Sequence, residues 1–148
     1  VVYVADATNL KRSLFLVSQI IDLKIPTVLV LNMMDLLEKQ GEKINVQKLS
    51  ETLGIQVVAL SARNQKGITQ LKDIVSANIS APDKEFINNK AIAPTLIDEA
   101  TVILNSTSDF YTLQAINNCS SNKHLCKFYS EEMQNRLRAF IALHPVDS

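Results

Sequence analysis

Apolar and polar positions alternate along this chain in blocks, and the rhythm differs from block to block. Residues 1–5, VVYVA, are β-branched or otherwise apolar and close on Asp6, which predicts a short buried strand. From Leu10 the period lengthens: Leu10, Leu14, Val17 and Ile21 lie on one helical stripe. They predict a helix running to about Asp22, with Thr8 or Asn9 as its cap. Pro26 ends that connection, and residues 27–31 read as a second strand, apolar on both faces. A short helical stretch leads to Gly41. Asn45 then caps a helix with Val46, Leu49 and Leu53 inward and Gly54 as its stop. Residues 55–60 form a third apolar strand ending in Ser61-Ala62-Arg63, and Gly67 precedes a helix carrying Ile68, Leu71, Ile74 and Val75.

Strands without alternation, each followed by an amphipathic helix, imply a parallel sheet covered on both faces. Three strands are few for such a sheet, and the chain opens inside an apolar run with no Met and no polar lead-in. Both features predict a partial sheet whose upstream half is missing. Strand 1–5 is then expected to carry unpaired backbone and bare faces, which favours self-association, strand exchange or a rearranged sheet.

Around Ser80-Ala81-Pro82-Asp83-Lys84 strand-like runs give way to helical stripes. Ile97, Ala100 and Leu104 form one, behind Pro94 and Thr95. Residues 110–116 are a short helical candidate. Ser130 caps a helix with Met133, Leu137, Phe140 and Ile141 inward. The fold class expected is therefore α/β then all-α, with a partial α/β domain at 1–81 and a small helical domain at 82–148.

Composition narrows the function classes. A 47% hydrophobic share supports a packed core, and fifteen basic residues balance fifteen acidic ones, which disfavours nucleic acid as a partner. No apolar run approaches the roughly 20 residues of a membrane span. Cys119 and Cys126 are no disulfide framework; they fit free thiols in a reducing compartment, with a single bridge left open. Cys119, His124 and Cys126 lack a fourth ligand at standard spacing, so no metal site is assigned. His144 reads as a solvated residue.

Ligands of open parallel sheets bind beyond the C-terminal ends of the strands. Here those ends read Asp6-Ala7-Thr8-Asn9, Asn32-Met33-Met34-Asp35 and Ser61-Ala62-Arg63. Taken singly, Asn32 and Asp35 suit an ordinary turn or helix cap, Asp6 suits a cap of its own turn, and Met34 suits strand-end packing. Together, three polar ends at one sheet edge exceed what turns require. An ionised Asp35 would be acceptor-only and would match a base edge presenting two donors.

Asn-x-x-Asp after one strand with Ser-Ala after the next resembles the guanine-reading half of a small GTPase domain. The resemblance implies that Asp35 accepts from the guanine ring N–H and amino group. Asn32 would brace the loop and meet the purine edge, the Ala62 N–H would donate to the keto oxygen, and Ser61 would orient Asp35. Arg63 would lie over the base or remain a solvated loop charge. Most small GTPases have Lys where Met33 stands, its stem along the purine; a thioether can pack there instead. The Asn-Met-x-Asp form is similar to that of the bacterial ferrous-iron transport protein B family. "VVYVADATNLKRSLFLVSQIIDLKIPTVLVLNMMDLLEK" and "LSETLGIQVVALSARNQKGITQLK" extend the likeness over residues 1 to about 79. Beyond that the likeness is only in kind, a helical unit after the G domain.

That family implies GTP or GDP as ligand, with Mg²⁺ in the complete domain only. It also implies a place at the cytoplasmic face of the bacterial inner membrane. The helical unit would stabilise bound GDP and relay nucleotide state to a membrane-embedded iron permease domain of the same chain. Gly41, Gly54 and Gly67 belong to no G-x-x-x-x-G-K-[ST] phosphate loop, and no Asp-x-x-Gly occurs. No catalytic residue is assigned, and this stretch alone is not expected to hydrolyse GTP. Two other readings remain at this point: a GTPase of ribosome-assembly type, which Met33 and the zero net charge oppose, and a non-enzymatic helical interaction module.

Overall fold

The computed structural model describes residues 1–91, 93–121 and 123–144. These divide into two compact units, Val1–Phe86 and the chain from Ile87 onward. In the first, β1 (Val2–Asp6), β2 (Val28–Asn32) and β3 (Gln56–Ala59) form a parallel sheet in the order β1-β2-β3. The register sets Asp6 beside Asn32 and Leu31 beside Ala59, so all three strands end at one edge. Parallel pairing requires a crossover between strands, and helices supply it: α1 (Leu10–Asp22) between β1 and β2, and α2 (Met34–Lys39) with α3 (Val46–Leu53) between β2 and β3; α4 (Ile68–Ser76) follows β3.

Central β2 is buried on both faces, as its unbroken apolar run requires. Leu29, Leu31 and Val57 pack with Val17 and Ile21 of α1 and Leu53 of α3. Val28, Val30 and Val58 pack on the other side with Ile68, Leu71 and Ile74 of α4. Val75 instead faces solvent. On β1, Tyr3 and Ala5 join the first cluster while Val2 and Val4 are 43% and 59% exposed. The edge strand thus carries a bare apolar face.

The start of α1 is built in two steps. Asn9 holds the N-cap position of α1, and Asp6 caps the 3₁₀ turn before it: its Oδ1 accepts from Thr8 N at 2.8 Å and Thr8 Oγ1 at 2.7 Å, closing the turn over Ala7–Asn9. Asn9 makes no capping bond.

The first unit also runs past residue 82 because residues 83–86 are strapped down. Buried Asp22 accepts from Phe86 N at 2.6 Å. Lys24 Nζ donates to the carbonyls of Asp83 and Lys84 and pairs with Glu85 at 3.3 Å. Lys84 Nζ reaches the carbonyls of Glu51 and Thr52 in the last turn of α3, where orphan acceptors need partners. Side chain to backbone bonds of this kind leave no hydrophobic pattern, so the composition change at Pro82 carries no sign of them.

In the second unit, α5 (Pro94–Leu104), α6 (Asp109–Ser121), α7 (Lys123–Cys126) and α8 (Glu131–Leu143) follow a 3₁₀ turn at Asn89–Ala91. Ala100, Leu104, Ala115, Ile116, Leu137 and Phe140 form its core. Ser130 caps α8 by accepting from Met133 N. The helix expected at 110–116 is longer, running over Asp109–Ser121, and at its start Ser108 Oγ accepts from Tyr111 N at 3.0 Å. Cys119 of α6 and Cys126 of α7 are joined in a disulfide rather than free. His144 is not simply solvated: it pairs with Glu99 at 3.1 Å and stacks on Phe140 at 4.7 Å. Among the described residues no helix is long and apolar enough to cross a membrane.

Candidate functional site

The site grows from the way the chain leaves β2. Met33 has φ 65° and ψ 27°, a left-handed conformation uncommon for a side chain other than Gly, Asn or Asp. That turn swings the backbone straight into α2 (Met34–Lys39), placing Asp35 in the first helical turn. Met33 and Met34 accordingly part company. Met34 packs against the core, whereas Met33 is 41% exposed.

The exit of β3 docks against this turn. Ser61 is buried, and its Oγ donates to Asp35 Oδ1 at 2.7 Å. Ala62 N donates to Asn32 Oδ1 at 3.1 Å, and Met34 N to Leu60 O at 3.3 Å. Residues 61–66 are themselves a closed loop: Ser61 N and Lys66 N donate to each other's carbonyls at 3.1 and 3.2 Å. Asn64 N and Gln65 N complete it through the carbonyls of Ser61 and Ala62.

Between the two exits lies an open cavity of about 190 Å³ lined by Asn32, Met33, Asp35, Leu36, Ala62 and Arg63. It is smaller than the roughly 300–1,000 Å³ of sites for drug-sized ligands, and so suits one ring system better than a whole nucleotide. Five of the six residues expected from the sequence face it. Ser61, the sixth, sits behind Asp35 and lines a neighbouring hollow with Glu38, Asn64 and Lys66. Leu36 was not foreseen; its only sequence signal is its place directly after Asp35. Asp6 is not among the lining residues, since its carboxylate serves its own turn.

The Ser61 hydroxyl holds the Asp35 carboxyl below its ordinary value. Partial desolvation pushes the other way, while the Asp35 backbone N–H, Lys39 and Arg63 add to the lowering. An anionic, acceptor-only group therefore fronts the cavity at neutral pH. The Ala62 N–H, at the cavity edge, donates to Asn32 Oδ1. Among the described residues no cluster of three or more His, Cys, Asp or Glu could hold a metal ion.

Comparison with known proteins places this geometry. The profile of the family described as "Ferrous iron transport protein B" matches residues 1–75. The chain belongs to that family. A Leptospira biflexa Fe(2+) transporter FeoB is 30% identical over 146 residues, covering 95% of this chain and 21% of that protein. The Salmonella typhimurium Fe(2+) transporter FeoB is 35% identical over 111 residues, 75% of this chain and 14% of its own length. Among solved structures, S. thermophilus NFeoB bound to GDP·AlF₄⁻ and K⁺ matches with a TM-score of 0.64 at 30% identity. That match covers 94% of this chain and 56% of the solved one. The chain thus spans about a fifth or less of the length of those two relatives, and over half of the solved chain.

Proposed function

We propose that residues 1–81 are the base-reading part of a guanine-nucleotide domain. Asp35 accepts from the ring N–H and amino group of guanine, and Met33 and Arg63 flank the ring. The Ala62 N–H passes from Asn32 Oδ1 to the keto oxygen when the base enters. The released Asn32 side chain then meets the purine edge, and Ser61 keeps Asp35 aimed. The observation that carries this reading is the 2.7 Å bond from Ser61 to Asp35, which fixes an anionic acceptor at the mouth of a ring-sized cavity. The FeoB relatives, one of them solved with GDP·AlF₄⁻, support it.

The residues present fit the base but not the phosphates. Nothing in the sequence forms a glycine-rich phosphate loop, so no step of phosphoryl transfer or Mg²⁺ binding is derived from this chain. The family membership supports a coarser role in ferrous-iron transport. The helical unit, from residue 82 onward, would then transmit nucleotide state to a membrane-embedded iron permease of the same protein, at the cytoplasmic face of the membrane. Calorimetry on the full-length protein tests the reading: GDP should bind at least roughly 100-fold tighter than ADP, because ADP leaves Asp35 unmatched. Equal affinity for the two would overturn it.

A further inference from the structure

We infer that Gly67 is a positioning residue for the base site, acting through the 61–66 loop rather than by touching ligand; this rests on the reading just proposed. Gly67 has φ 81°, and a Cβ built on it would lie 2.3 Å from the Ala59 carbonyl oxygen. The next obstacles are Leu60 Cα at 3.3 Å and the Ala59 carbonyl carbon at 3.4 Å. All three are backbone atoms of the β3 exit, so no rotamer change can relieve the contact.

The consequence runs through the loop. Ala59 and Leu60 are fixed by the sheet: Ala59 pairs with Leu31, and Leu60 N donates to Leu31 O at 2.8 Å. Gly67 starts α4, its carbonyl accepting from Leu71 N at 3.0 Å. A side chain at position 67 must therefore push the start of α4 away from the β3 exit. The segment between them is the closed loop 61–66, and it has to absorb the displacement. That loop carries Ser61, which aims Asp35, and Ala62, whose N–H faces the base. The missing Cβ of Gly67 thus sets the geometry of both base contacts without lining the cavity.

Gly41 provides an internal control. It has a similar φ of 76° but nothing within 4 Å of its hypothetical Cβ. Gly41→Ala therefore adds backbone strain with no displacement of the loop. The test measures GDP and IDP affinity and GDP release in the full-length protein; IDP lacks the amino group assigned to Asp35. Gly67→Ala should weaken GDP roughly tenfold, speed its release, and shrink the GDP over IDP preference severalfold. Gly67→Asn retains access to the left-handed conformation but keeps the Cβ, so it should reproduce that loss even if the alanine variant folds poorly. Gly41→Ala should lower the thermal midpoint and leave affinity and preference unchanged. Wild-type preference in the folded Asn variant, or an equal loss of GDP and IDP matching a loss of stability, overturns the inference. A wild type that binds GDP no better than ADP overturns the functional reading, and this inference with it.

Discussion

Two strand ends lie side by side at the same sheet edge, and they spend similar residues differently. At the end of β1, Asp6 is followed by Thr8 and Asn9. At the end of β2, Asn32 is followed by Asp35. Asp6 gives its carboxylate to Thr8, two residues away. Asp35 receives its partner from Ser61, on the next strand's exit, and Asn32 is held by Ala62 on that same exit. A carboxylate satisfied by its own turn is structural. One held from outside keeps its remaining oxygen lone pairs directed at a cavity. The partner's origin, rather than the residue type, separates a cap from a candidate site.

Three substitutions would break or sharpen this contrast. Asp35→Asn should have the largest effect: GDP affinity in the full-length protein falls roughly 100-fold, since two charge-assisted bonds are lost. Xanthosine diphosphate gains, because an amide N–H₂ suits the second keto oxygen of xanthine; competition binding reads both. Retained GDP preference would remove Asp35 from base reading.

Ser61→Ala should weaken GDP less, roughly fivefold, because the carboxylate loses its aim but not its charge. The pH dependence has a definite sign. Asp35 is held below its ordinary carboxyl value in the folded protein, so its contribution to stability is present above the unfolded pKa. That contribution is lost as pH falls through the lowered folded value. Removing the Ser61 hydroxyl raises the folded value, so the acid loss of GDP binding moves to higher pH, measurable by titration of the Asp35 carboxyl carbon in NMR.

Asp6→Ala should leave nucleotide affinity where it was and cost only about 1 kcal/mol of stability in urea unfolding, as loss of a helix cap does. A drop in GDP affinity would place β1's end in the site and erase the contrast.

Much of this arrangement is legible in the sequence. The unbroken apolar run of 28–31 dictates burial on both faces, and helical stripes between apolar runs dictate crossover connections. Asn32, Met33, Asp35, Ala62 and Arg63 were each placed at strand ends by pattern and resemblance, and all five line one cavity. What pattern missed has a common cause. The strap of residues 83–86 and the His144–Glu99 pair both rest on individual polar atoms meeting across the chain. Hydrophobic periodicity reports only which face is buried, and carries no trace of such meetings.

The sequence by itself determined the strand and helix order, the shared edge of the strand ends and the residue types gathered there, because burial and backbone propensity are written locally. Only the tertiary structure decided that Ser61 grips Asp35, that Asn32 holds the Ala62 N–H, and that Gly67 must lack a side chain. Each depends on backbone segments 26 or more residues apart, or on β3 and α4 meeting within van der Waals distance, and such distances exist only once the sheet has formed.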